Sequence, residues 1–151
     1  MGLFNLFKKP FIVQDDFFGQ LRLMDFKDPT KNYFEGKGFF APTNNETEYI
    51  IQCDKSGPTT EQKEFCKKLQ NDFDVYLTKI KPLIEDEFRN WKDDFQIKDF
   101  SKEFSLVCLA IPRLDSNPLI WDMSFTTIHD KNHNVTVDFI DQTPNNVLVD
   151  G

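Results

Sequence analysis

Residues 59–91, TTEQKEFCKKLQNDFDVYLTKIKPLIEDEFRNW, decide the fold class of this chain. Apolar residues recur there every three or four positions, which predicts a helix with one apolar stripe. The stripe consists of Phe65, Leu69, Phe73, Tyr76, Ile80, Leu83 or Ile84, Phe88 and Trp91. Thr59 and Gln62 have the spacing of a capping box, which marks the start of the helix. Pro82 lies inside the pattern, so we expect a kink, or two helices that meet near Lys81.

Strand patterns flank the helical segment on both sides, bounded by Pro, Asn, Asp and Gly turn signals. Before it we predict strands at Phe17–Phe26, Tyr33–Ala41 and Glu48–Cys53. After it we predict strands at Phe104–Ile111 and Pro118–His129, a strand with Val135, Val137 and Phe139, and a short edge strand at Asn146–Val149. Residues 130–134 are the predicted hairpin turn. The glycines of Gly36-Lys37-Gly38 suggest a bulge or bend.

The sequence therefore predicts an α+β fold, with one antiparallel sheet made of two β-meanders. One long, Pro-kinked helix, or a helix pair, packs on a face of that sheet because an apolar stripe must be buried. The 151 residues fit a single domain. Its parts are an apolar N-terminal lead (1–14) that docks on the body, a first β-meander (15–56), a helical segment (59–94) and a second β-meander (100–150).

Several predicted strands are apolar on both faces, above all Leu106–Ile111. A strand with one solvent-exposed face should alternate with polar residues. We therefore expect a cover on the second face of the sheet. The candidates are the N-terminal lead, the kinked half of the helix, a sharply curled sheet and a second copy of the chain, which would make a homodimer.

The chain is acidic, with a formal net charge of −7. This argues against nucleic-acid binding, which needs a basic surface. Residues 114–151 contain six aspartates and one lysine, Lys131. The aspartates are Asp115, Asp122, Asp130, Asp138, Asp141 and Asp150. Such a patch can attract a basic partner, and it is also typical of a simple solvated surface.

No segment has the length of a membrane span, and the three cysteines form no C-x-x-C pair. We therefore expect a cytoplasmic protein with reduced cysteines. The two histidines, His129 and His133, span a predicted turn and not a helix face, so they match no metal motif. Nucleophile and phosphate-binding motifs are also missing from the sequence. We predict no catalytic residue and no cofactor.

Three short motifs carry a resemblance. They are Asp16-Phe17-Phe18-Gly19, Gly57-Pro58-Thr59-x-x-Gln62 and the closing hairpin with His129; the opening Met1-Gly2-Leu3-Phe4 with Lys8-Lys9 adds to them. Together they resemble a group of small bacterial proteins of unknown function, and some comparable acidic proteins are immunity partners of polymorphic toxins. The resemblance covers roughly residues 15–140 and implies a binding protein with no catalytic residue.

The leading hypothesis is a non-catalytic binding protein of the bacterial cytosol. It contacts a basic protein partner through an acidic C-terminal face made of Asp122, Asp130, Asp138, Asp141 and His129. One alternative is a structural subunit that buries apolar sheet faces by self-association. The other is an enzyme with a cleft that joins His129, Asp122 and either Asp15 or Asp16.

Overall fold

A computed structural model describes residues 9–150, which form an eight-stranded sheet with helices on one face. The strands are β1 (Ile12–Asp15), β2 (Gly19–Met24), β3 (Tyr33–Phe40), β4 (Asn45–Gln52), β5 (Phe104–Ile111), β6 (Ile120–Thr127), β7 (Asp130–Ile140) and β8 (Thr143–Asp150). They are ordered in the sheet as in the sequence, and all neighbours are antiparallel except β4 and β5, which are parallel. The predicted α+β class is confirmed, but the prediction of a wholly antiparallel sheet is wrong, because β4 and β5 are parallel.

The parallel pair needs a crossover between β4 and β5, and the helices supply it. They are α1 (Thr60–Asn71), α2 (Phe73–Phe88) and the short α3 (Phe100–Glu103). The predicted capping box is present at the start of α1. Gln62 donates its backbone N–H to the Thr59 hydroxyl (3.2 Å), and the Thr59 N–H donates to the Gln62 side chain (3.0 Å). The Gln62 amide also donates to the carbonyls of Gln52 and Pro112, each at 2.8 Å, which ties the helix start to the ends of β4 and β5.

The helix break predicted near Lys81 is wrong, because the break lies nine residues earlier along the chain, at Asp72. There φ is −99° and ψ is 12°, and the Asp72 carbonyl accepts hydrogen bonds from the N–H groups of Val75 and Tyr76. Asparagine and aspartate, which occupy positions 71 and 72, are weak helix formers. Helix α2 continues through Pro82, where Ile80 and Ile84 on either side are fully buried. Packing against the sheet thus outweighs the one hydrogen bond that proline removes.

Aromatic side chains fill the space between the helices and the sheet. From α1, Phe65 meets Trp121 of β6 at a ring-centroid distance of 5.3 Å. From α2, Tyr76 meets Trp121 at 5.5 Å and Phe139 of β7 at 5.6 Å. These edge-on contacts are favoured ring geometries. They place both helices on the same face of the sheet, here called the inner face, and they account for the phenylalanine-rich composition.

Two glycines of β3 let the chain fold closely over the inner face. A Cβ at Gly36 would collide with the carbonyl oxygen of Gln20, and one at Gly38 would lie 2.8 Å from the carbonyl oxygen of Phe18. Phe18 packs on Tyr49 with a centroid distance of 5.1 Å. The predicted bulge is wrong, because β3 pairs with β4 in continuous register. The glycines serve a close backbone approach that curls the β1–β2 hairpin inward.

Several strand boundaries differ from the predictions, and β4 and β8 each begin three residues earlier than predicted, at Asn45 and Thr143. β1 begins at Ile12, inside the segment predicted as a lead, and Phe17 and Phe18 lie in a turn whose N–H groups donate to the Asp15 carboxylate at 2.8 Å. The hairpin turn predicted at residues 130–134 is wrong, because Thr127 pairs with Asp130 and β7 starts at Asp130. Residues 1–8, the rest of the predicted lead, lie outside the described residues.

The second face of the sheet, here called the open face, carries no helix within residues 9–150. The helix therefore does not provide the predicted cover. β5 is apolar on both faces because its open-face residues are small: Cys108 and Ala110 lie half-buried among neighbouring strands. Larger apolar groups remain on this face, with Phe39 64% exposed and Leu148 49% exposed.

We expect Gly36→Ala and Gly38→Ala each to lower the free energy of unfolding by about 2–4 kcal/mol, because a methyl group would push β2 off the inner face. Urea denaturation checks this. Lys37→Ala, between the two glycines, should change the free energy by no more than about 0.5 kcal/mol. An equally small effect of the glycine substitutions would contradict the close approach.

Candidate functional site

Two of the predicted acidic residues meet on the open face. Asp122 of β6 and Asp138 of β7 lie directly opposite each other in the sheet. Their neighbours along each strand, Trp121 and Met123, and Val137 and Phe139, are buried on the inner face. Because side chains alternate along a strand, both carboxylates must project from the open face.

The cross-strand neighbours of this acidic pair bring no positive charge. The row that contains the pair runs from Ala110 through Asp122 and Asp138 to Asn146. The Asn146 amide approaches the Asp138 carboxylate at 3.5 Å, a long hydrogen bond. Strands β5, β6 and β8 contain no lysine, arginine or histidine. The pair therefore lies in a region of the open face that is acidic and lacks a basic side chain.

The basic side chains of the open face lie on β2 and β3, and each is opposite an acidic residue of the neighbouring strand. Arg22 of β2 is opposite Glu35 of β3, and Lys37 of β3 is opposite Glu48 of β4. Asp122 and Asp138, by contrast, are opposite each other and have no basic cross-strand neighbour. This separation gives the β5–β8 half of the open face its negative character.

Burial, together with a smaller contribution from the nearby Asp138 carboxylate, raises the pKa of Asp122 to about 6. Burial also raises the pKa of the Cys108 thiol to about 12, with additional contributions from Glu48 and Asp122. The Cys108 thiol is therefore protonated and unreactive at neutral pH. Asp122 is ionised at pH 7, at a cost in stability that a cation placed beside it would offset.

The remaining predicted residues lie at the two ends of β7. At its start, Asp130 accepts a hydrogen bond from His133 at 2.8 Å, and this bond lowers the pKa of Asp130. At the β7–β8 turn, Asp141 has a positive φ of 53°, and its carboxylate accepts from the Leu119 N–H at 3.0 Å. Its carbonyl also accepts from the Trp121 indole at 2.7 Å. Asp141 thus holds the turn, and neither end residue joins the acidic pair.

His129 is part of a different cluster, which the sequence did not predict. Its Nε2 lies 2.6 Å from the Glu103 carboxylate, and its ring packs edge-on against Phe95 at 4.9 Å. Glu103 also accepts hydrogen bonds from the N–H groups of Lys98 and Asp99. Burial alone would raise the pKa of Glu103, but these hydrogen bonds outweigh it and hold the pKa below its usual value. The one sequence signal for this cluster is Glu103 itself, an acidic residue directly before the apolar run of β5.

The cleft of the enzyme hypothesis is not assembled among residues 9–150. Asp15 and Asp16 form ion pairs with Lys63 of α1, and His129 pairs with Glu103. No hydrogen bond or ion pair in this part of the chain connects either group to Asp122. The same residues contain no group of three or more His, Cys, Asp or Glu side chains placed to hold a metal ion.

Apart from the open face, a concave surface lies at the carboxyl ends of β4 and β5, beside the start of α1. The Arg113 guanidinium there pairs with Asp54 at 2.8 Å and donates to the carbonyl of Pro29 at 3.3 Å. Glu61 and Asp115 line the same cleft. An anionic ligand would meet three carboxylates, so this cleft is a poorer candidate than the open face.

Comparisons of the chain with protein-family models, with curated proteins and with solved structures find no match. None of the helices formed by the described residues is both long enough and apolar enough to span a bilayer.

We expect Asp122→Asn to stabilise the protein at pH 7.5 and to leave its stability unchanged at pH 4. The raised pKa means that the folded state holds a proton more tightly than the unfolded state, so stability falls as the pH rises from 3.8 to about 6. Allowing for solvent screening, the gain should be about 1 kcal/mol. Chemical denaturation at both pH values checks this. A destabilising effect at pH 7.5 would contradict the assigned environment.

Glu103→Ala should lower the free energy of unfolding by about 2–3 kcal/mol at pH 7, because it leaves the N–H groups of Lys98 and Asp99 without their acceptor. Glu103→Gln should lower the free energy of unfolding by less, because its amide oxygen can still accept from these N–H groups. Because the pKa of Glu103 is lowered, its ionised form stabilises the fold above pH 4.5, and that contribution is lost as the pH falls below this value. Melting temperatures of wild type and Glu103→Gln should therefore converge towards pH 3. A constant difference would exclude the charged hydrogen bonds as the cause.

Proposed function

We propose that this protein is a non-catalytic binding protein that docks a basic protein partner on the open face of its sheet, in the way an immunity protein binds a toxin. The observation that supports this most strongly is the Asp122–Asp138 pair. Two carboxylates directly opposite each other in a sheet repel, and both of these are half-buried. Asparagine at position 122 would fold better at neutral pH, so the acid points to a role other than stability.

The surroundings of the pair favour a protein partner over a small ion. Apolar side chains lie on the same face, with Phe39 and Leu148 both exposed, and Ile120 at one end of β6 is 63% exposed. Protein interfaces commonly combine apolar anchors with a polar rim. A free cation would use only the two carboxylates and leave these apolar groups in water.

The chemistry of the pair favours an arginine or lysine of the partner. A guanidinium can donate to two carboxylates at once, and its delocalised charge is more readily desolvated than an ammonium. Placed between Asp122 and Asp138, it would remove their mutual repulsion and lower the pKa of Asp122. Binding should therefore be weaker below about pH 6, where Asp122 is protonated in the free protein.

The experiment is capture of the partner by tagged protein in its native host, at low and moderate salt. Wild type should retain one basic protein at low salt and lose most of it at moderate salt, since charge pairs at a surface are screened. Asp122→Lys/Asp138→Lys should lose it at both. The control Asp93→Lys/Asp115→Lys makes the same change in net charge at two exposed positions away from the open face and should retain the partner.

Once the partner is purified, we expect Asp122→Asn alone to weaken its binding about tenfold at pH 7.5, the loss of one charge-assisted contact. The difference from wild type should shrink towards pH 5, because the wild-type carboxyl is then protonated. Titration calorimetry at both pH values checks this. Equal capture by the double lysine variant, or equal loss in its control, would refute the proposal.

A further inference from the structure

We infer that two copies of the chain associate through their β8 strands, paired antiparallel about a twofold axis at Leu148, so that the two sheets become one. This inference does not depend on the proposed function. It rests on the difference between the two edges of the sheet and on the residue pattern of β8.

The two edge strands differ in length and charge. β1 has four residues and ends at Asp15, whose carboxylate, with that of Asp16, is engaged by Lys63. Short strands and charged groups are features that protect sheet edges from pairing with other chains. β8 has eight residues, and Asp150 at its end is the only charged one. Its single proline, Pro144, lies at the other end.

The outer side of β8 offers unpaired backbone groups. Within residues 9–150, β8 pairs with β7 alone, because it is last in the order of the sheet. In an antiparallel pair, alternate residues direct their N–H and C=O groups away from the partner strand. The middle of β8, residues 145–149, lacks both proline and charge, so nothing in its sequence interrupts an added strand.

The residue order of β8 favours a second copy of the chain as the occupant. With the axis at Leu148, Leu148 faces its own copy, and Val147 of each chain faces Val149 of the other. The next pair places Asn146 opposite Asp150, an amide opposite a carboxylate. No like charges face each other, and the apolar residues of both copies meet at the centre. Val147 and Val149 already pack against the core from the inner side, while Leu148 is 49% exposed on the open face.

A twofold axis perpendicular to the sheet keeps equivalent faces on the same side. The helices of both copies then lie on one side, and both open faces lie on the other. The interface between the two β8 strands covers neither Asp122 nor Asp138, which are on β6 and β7. Failure of this inference therefore leaves the proposed function untouched, and the converse also holds.

Sedimentation of the purified chain between about 1 and about 300 µM tests the inference, because a dimer forms by mass action. Wild type should show a monomer–dimer equilibrium. Leu148→Lys should weaken the dimer at least tenfold, since it places two ammonium groups opposite each other at the axis. The control Ile128→Lys adds the same charge at a residue that is 61% exposed in the β6–β7 turn, and it should dimerise as wild type does. Melting temperatures confirm that both variants are folded.

Oxidative cross-linking then tests the register. Leu148→Cys should form a disulfide-linked dimer, because the axis brings the two introduced thiols together. Thr143→Cys, at the far end of the same strand, should not, and both variants retain Cys108 equally. A wild type that stays monomeric over the whole concentration range would overturn the inference. So would a Leu148→Lys variant that dimerises as strongly as wild type, equal loss in Ile128→Lys, or equal cross-linking at positions 143 and 148.

Discussion

The parallel pairing of β4 with β5 is the constraint on which the rest of the structure depends. Two parallel neighbours cannot be joined by a tight turn, so the chain must cross the sheet between them. The crossover carries α1 and α2, and a single crossover can cover only one face. Gln62 fixes its start by donating to the carbonyls of Gln52 and Pro112 at the ends of the two parallel strands. The helices consequently cover most of the inner face, and the opposite face carries no helix within residues 9–150.

Much of the fold could be predicted from local signals, because those signals act over a few residues. The capping box at Thr59 and Gln62 and the β5 strand at Phe104–Ile111 appear where the sequence predicts them. The apolar stripe of the helices does so up to Phe88, where α2 ends, but Trp91 lies beyond the helix and is 48% exposed. The break at Asp72 could not be predicted in the same way. A proline inside a helix looks like the stronger signal, and only the burial of Ile80 and Ile84 on either side shows why the helix continues through it.

The candidate site was predictable in composition but not in arrangement. The sequence indicated an acidic C-terminal region, and alternation along β6 and β7 directs Asp122 and Asp138 away from the core. Which acids lie side by side depends on strand register, and register depends on the turn. The turn lies before Asp130, so Asp138 pairs with Asp122, while Asp130 and Asp141 are separated by the length of β7. The Glu103–His129 contact spans 26 residues and depends on how α3 meets the hairpin, which no local pattern encodes.

The acidic pair lowers the stability of the fold, and the same two strands show that a neutral pair can occupy equivalent positions. Two residues further along, on the same face, Ser124 of β6 is opposite Thr136 of β7. Their hydroxyls form a 2.9 Å hydrogen bond with each other and need no third partner. A neutral, self-satisfied pair is therefore compatible with this surface. At Asp122 and Asp138 the sequence instead places two acceptors with no donor between them, except for the distant Asn146 amide. A donor that carries positive charge both hydrogen-bonds two opposed carboxylates and offsets their repulsion, and a neutral donor does only the first. Strands β5, β6 and β8 contain no lysine, arginine or histidine, and the partner's guanidinium proposed above would supply such a donor.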